Sequence, residues 1–135
     1  MSELVEFDDL NQLKVLLRAG VELKFHISNG SDVINGSSVY AAALGNVREA
    51  LIEGLRYNSM VGKAQAEAEW YRLGGDPRVF GIIARRASLH PRWRELDEFE
   101  LRDWIEALAS PFVVGDEVFE AIRMEVEKML ESNDG

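Results

Sequence analysis

Apolar side chains return every third or fourth residue along most of this chain, and each such run ends at a glycine, a proline or a cluster of turn formers. Leu10, Leu13, Leu16 and Leu17 form the first stripe, with Asp8 or Asp9 placed to cap it and Gly20 to stop it in a left-handed conformation. A second helix is predicted from a cap at Ser37 or Ser38 to about Tyr57, with Tyr40, Leu44, Val47, Leu51 and Leu55 inward. Ala43, Ala50 and Gly54 lie beside that stripe, so another element can come close to the backbone there. A shorter helix from about Val61 to Leu73 carries Trp70 and Tyr71 and closes at Gly74 and Gly75.

Asp76 and Pro77 open the next helix, the first as a cap and the second at a position where its missing N–H costs nothing. Val79, Phe80, Ile82, Ile83 and Ala87 form its inner side, and Pro91 ends it at or just before His90. Asp97 with Glu100 three residues on makes a capping box, and Leu96 and Leu101 stand where a hydrophobic staple would put them. Leu101, Trp104, Ile105 and Leu108 then form a buried face, and Ser110-Pro111 stops the helix. After a connector of residues 112–115, the last helix is predicted over about 116–131 with Phe119, Ile122, Val126, Met129 and Leu130 inward, followed by a frayed tail of 133–135.

One stretch breaks the period. Every second residue is apolar from Val21 to Ile27, with Glu22, Lys24, His26 and Ser28 between them, which is the pattern of a strand with one covered face. Asn29, Gly30, Ser31 and Asp32 are turn formers, and Val33-Ile34 can pair back. The pattern therefore predicts an α+β fold that is predominantly α. About six helices pack with one small N-terminal β-hairpin at about residues 21–34, in a single domain spanning 1–135.

Composition narrows the class. The 135 residues are 47% apolar, enough for one core that buries about two-thirds of the unfolded surface. With no cysteine, disulfides, thiolate metal sites and cysteine nucleophiles are excluded, and a reducing, cytoplasmic setting is expected. No apolar run approaches the roughly 20 residues that cross a bilayer, and no signal peptide is expected. The formal charge of -9 is unevenly spread. Residues 1–57 hold 8 acids and 5 bases, residues 58–94 hold 3 and 7, and residues 95–135 hold 13 and 3.

Candidate chemistry is sparse. The two histidines, His26 and His90, lack a second histidine or a carboxylate at metal-ligand spacing, so no metal and no cofactor is expected. No Gly-x-Ser-x-Gly elbow or phosphate-binding glycine loop occurs, and the many carboxylates sit among lysines and arginines on polar helix faces. What remains is surface. Arg78, Arg85, Arg86, Arg92 and Arg94 with Trp93 combine charge and a stacking ring, a mixture suited to RNA or single-stranded DNA, although the acidic whole opposes that use. The plainer expectation pairs these arginines with acids of the same chain.

Segments 97–109 and 116–131 together carry 11 acids and 3 bases. Over the roughly 24 Å of the longer helix that approaches the charge of one nucleic-acid strand, about 7, but not the 14 or so of a duplex. The leading expectation is a non-enzymatic domain that binds another macromolecule, most simply a regulator, adaptor or inhibitor of a larger protein. Its contacts would be Arg78, Arg85, Arg86, Arg92, Trp93 and Arg94 toward an acidic partner, or Glu98, Asp103 and Glu106 toward a basic one. A nucleic-acid binder using residues 78–94 and an acidic nucleic-acid mimic are the alternatives. Of the three tryptophans, Trp104 is expected in the core and Trp93 within a partner's reach.

Overall fold

The computed structural model describes residues 9–26, 37–73 and 77–134. Among them are six α-helices: α1 (Leu10–Val21), α2 (Ser38–Tyr57), α3 (Val61–Trp70), α4 (Pro77–Ser88), α5 (Glu98–Ala109) and α6 (Asp116–Asp134). A π-helical turn, Glu22–His26, prolongs α1, and a 3₁₀ turn, Trp93–Glu95, precedes α5. None of these helices is long and apolar enough to cross a membrane.

The helix starts follow the expected chemistry. The Asp9 side chain accepts from Asn11 N at 2.8 Å, and the Ser37 hydroxyl accepts from Tyr40 N at 3.1 Å. Both halves of the capping box are present: Glu100 N donates to Asp97 Oδ1 at 2.8 Å, and Asp97 N donates to Glu100 Oε1 at 3.2 Å. Asp76 lies outside the described residues. At the other end of the chain α6 runs on to Asp134, through two of the three positions expected for a tail.

The predicted β-hairpin is not there in the part that is described: the elements among the described residues are all helical, with no strand. Residues 27–34, the rest of the expected hairpin, lie outside the described residues. Residues 21–26 continue the helix because their buried members are Val21, Lys24 and Phe25, a three-four spacing. Counting Lys24 as polar and therefore outward turned a helical face into an alternation.

Gly20 does not end α1 either. It lies inside the helix, where an added Cβ would stand 2.4 Å from Leu44 Cδ2. At the far end of the same antiparallel pair, a Cβ on Gly54 would stand 2.5 Å from Leu10 Cδ2. Two missing side chains thus bring α1 and α2 together. The core runs on through Leu17, Leu51, Tyr71, Ile83, Ile105, Ile122 and Val126, with Phe112 set edge-on to Phe25 at 5.5 Å between ring centres.

The end of α5 is the junction of the fold. Lys24 Nζ donates to Ala107 O and Ser110 O, each at 2.7 Å. Ser110 Oγ donates to Ala41 O at 2.6 Å, and Arg48 Nη1 donates to Pro111 O at 2.6 Å. Beyond it, Leu73 N donates to Val113 O and Val113 N donates to Tyr71 O, which ties α3's exit to the same connector.

Candidate functional site

The basic stretch is less open than its composition suggests. On α4, Arg78 and Arg85 are exposed and seven residues apart, so they share an outward line. Arg86 turns instead toward the core border, its guanidinium 5.7 Å from the centre of the Phe25 ring. Arg92 Nε is bound to Glu95 Oε2 at 2.7 Å, and Arg78, Arg86 and Arg94 hold contacts as well. Trp93, expected within a partner's reach, is 4% exposed, and its Nε1 donates to Glu127 Oε1 at 2.9 Å. Its ring is closed to a stacking base because α6 lies over it. Trp70 is the exposed tryptophan, at 59%, with the Arg18 guanidinium 4.4 Å from its ring centre.

Of the acids expected to face a basic partner, two are already engaged. Glu98 pairs with Arg123. Glu106 accepts from Arg102 Nε at 3.1 Å, while Arg102 Nη1 reaches Asp116 at 2.7 Å. Asp103 is exposed and makes no ion pair among the described residues.

The outer side of α6 carries a feature not singled out in the sequence. Phe119, Ile122 and Val126 are buried, which turns Glu117, Glu120, Met124 and Glu131 outward, with half-buried Glu127 completing the three-four row at its edge over Trp93. Met124 is 62% exposed in the middle of it. Around it Glu120, Arg123, Glu127, Lys128 and Glu131 border a shallow depression of about 260 Å³. Glu117 and Glu131 make no ion pair among the described residues. The acidity of 116–131 is expected from the sequence; which of its acids stand beside exposed Met124 is set by the packing of Phe119, Ile122 and Val126.

Two charged residues are buried among the described residues. Lys24 is 0% exposed, and burial, with the Arg86 charge second, lowers its pKa from 10.5 to about 7. Its two carbonyl partners make it a cap on the last turn of α5 and close it to solvent-borne reactants. Glu67, 7% exposed, is held by Lys14 Nζ at 3.2 Å and Arg18 Nη2 at 3.3 Å. Arg18 Nη1 donates to Tyr71 Oη at 2.9 Å, and burial raises the Tyr71 pKa to about 12. Beside Glu67 a cleft of about 550 Å³ opens between α1, the end of α2 and the start of α3.

His90 accepts at Nδ1 from Arg92 N at 3.0 Å and sets its ring edge-on to Trp104. Trp104 itself is half-buried, packed against the core rather than within it. No grouping of three or more metal-ligating side chains occurs among the described residues. No family model, curated protein or solved structure matches the chain.

Proposed function

We propose that this domain acts by binding a larger protein, and that the outward line of α6 receives a basic, amphipathic helical segment of that partner. The observation that carries the reading is exposed Met124 set between Glu117 and Glu131, two exposed carboxylates that make no ion pair among the described residues, with Glu120 and Glu127 in the same row already engaged by Arg123 and Trp93. A partner helix with lysines or arginines at matching spacing and one apolar anchor complements both features. Helix docking fits better than imitation of a nucleic acid. The line spans about 21 Å at 1.5 Å per residue, where one nucleic-acid strand would show about 6 charges against four carboxylates here, two of them already engaged within the chain. The arginine stretch gains no support, since Trp93, the ring expected to stack in it, is covered.

The test is fluorescence anisotropy of a labelled leucine–lysine helical peptide with the full chain at moderate salt. Glu117→Gln with Glu131→Gln and Met124→Ser should weaken binding about tenfold, from two exposed ion pairs at up to ~1 kcal/mol each and one partly buried thioether. Glu22→Gln with Glu53→Gln removes as many charges from exposed sites elsewhere and should leave affinity within about twofold. Equal losses in the two sets would mean unspecific attraction and would overturn the proposal.

A further inference from the structure

The cleft between α1, α2 and α3 gathers two ammonium groups in an otherwise acidic molecule. The chain carries -9 overall, yet Lys14 and Lys63 line this cleft with Asp9 and Glu67, and Glu67 is also held by Arg18. Two cations and two carboxylates therefore line the cleft, with Arg18 holding Glu67 from outside the lining. Glu67 keeps its arginine partner if Lys14 turns away, because Arg18 Nη2 is shared between Oε1 at 3.4 Å and Oε2 at 3.3 Å. Lys14, half exposed at its side chain, can thus accept another anion without leaving a buried carboxylate alone. Lys63 is exposed and makes no ion pair among the described residues.

The floor is apolar. Buried Leu51 and Leu55 line it with Leu10 and the more exposed Met60, alongside exposed Asn11 and Asn58. At about 550 Å³ the space lies within the range of small-molecule sites, which pair an apolar lining with a few polar groups. We infer that this cleft is a binding site for a small organic carboxylate with an apolar body, its head between Lys14 and Lys63 and its body on Leu51, Leu55 and Met60. A cationic amphiphile of the same size would meet the two ammonium groups and is disfavoured. This site is independent of the α6 surface.

Isothermal titration of the full chain with octanoate, octanol and octylammonium tests it. Octanoate should bind one-to-one and at least tenfold tighter than either of the others. Lys63→Gln, an exposed change, should weaken octanoate about fivefold, and Lys14→Gln should do the same while Arg18 retains Glu67. Ala66→Trp, at an exposed position of the lining, should abolish binding with no change in the thermal unfolding midpoint. Octanol or octylammonium binding as tightly as octanoate, or octanoate binding unchanged in Lys63→Gln and Ala66→Trp, would overturn the assignment.

Discussion

The ammonium of Lys24 stays in the interior because two backbone carbonyls at the end of α5 take the place of its water. Removing it leaves both carbonyls without that donor, so Lys24→Met should cost about 1–3 kcal/mol. The pH dependence has a definite sign. The folded pKa, about 7, lies below the unfolded 10.5. Between those values the unfolded chain holds a proton that the folded chain has shed, and stability rises with pH, by at most ~1.4 kcal/mol per unit. Urea unfolding at pH 7, 8 and 9 should therefore show native stability climbing and the deficit of Lys24→Met widening. A constant deficit across that range would show that Lys24 keeps one protonation state throughout. This residue also marks where the pattern misled: a hydrophobicity scale places lysine outside, and only its acceptors, 83 and 86 positions away, reveal the helical face it shares with Val21 and Phe25. Trp93 was hidden for the same kind of reason, since its cover is Glu127 on α6.

Glycines divide by what stands opposite them. At Gly20 and Gly54 the facing helix occupies the space of a side chain, whereas nothing lies within 4 Å of a Cβ on Gly81. Gly81→Ala in the middle of α4 should then stabilise the protein by about 0.5–1 kcal/mol, the helix-propensity difference alone. A lowered denaturant midpoint would show that α4 needs the glycine. Among the helix starts, α5 should be the most sensitive to its cap, and Asp97→Ala should cost about 1 kcal/mol in the same measurement. Six helices, the capping box and the inward faces of α5 and α6 were readable in the sequence, because period and cap are local. The helical continuation through residues 21–26 was not, and a hairpin was expected in its place: a run of six residues fits either period, and burial decides between them.

Over the whole molecule, charge is sorted by neighbours that composition cannot show. Arg102 and Arg123 sit within the acidic half and bind Glu106, Asp116, Glu98 and Glu120. They neutralise the flank of α6 toward α5 and leave Glu117 and Glu131 without an ion pair among the described residues. The expected contact residues Glu98 and Glu106 were named from their exposure on α5, and that exposure is real, but their charges are spent inside the chain. Association through the α6 line should weaken steeply with salt, as the screening length falls from ~10 Å at 0.1 M to ~3 Å at 1 M. A salt-independent affinity would assign binding to the apolar contacts instead.

The most direct measurement is a two-dimensional amide NMR titration of the nitrogen-labelled full chain with the leucine–lysine peptide. Saturable shifts should gather at Glu117, Glu120, Met124, Glu127 and Glu131, with Arg78 and Arg85 on α4 unmoved. Shifts scattered over every acidic surface, or centred on the arginines of α4, would contradict a docking surface on α6.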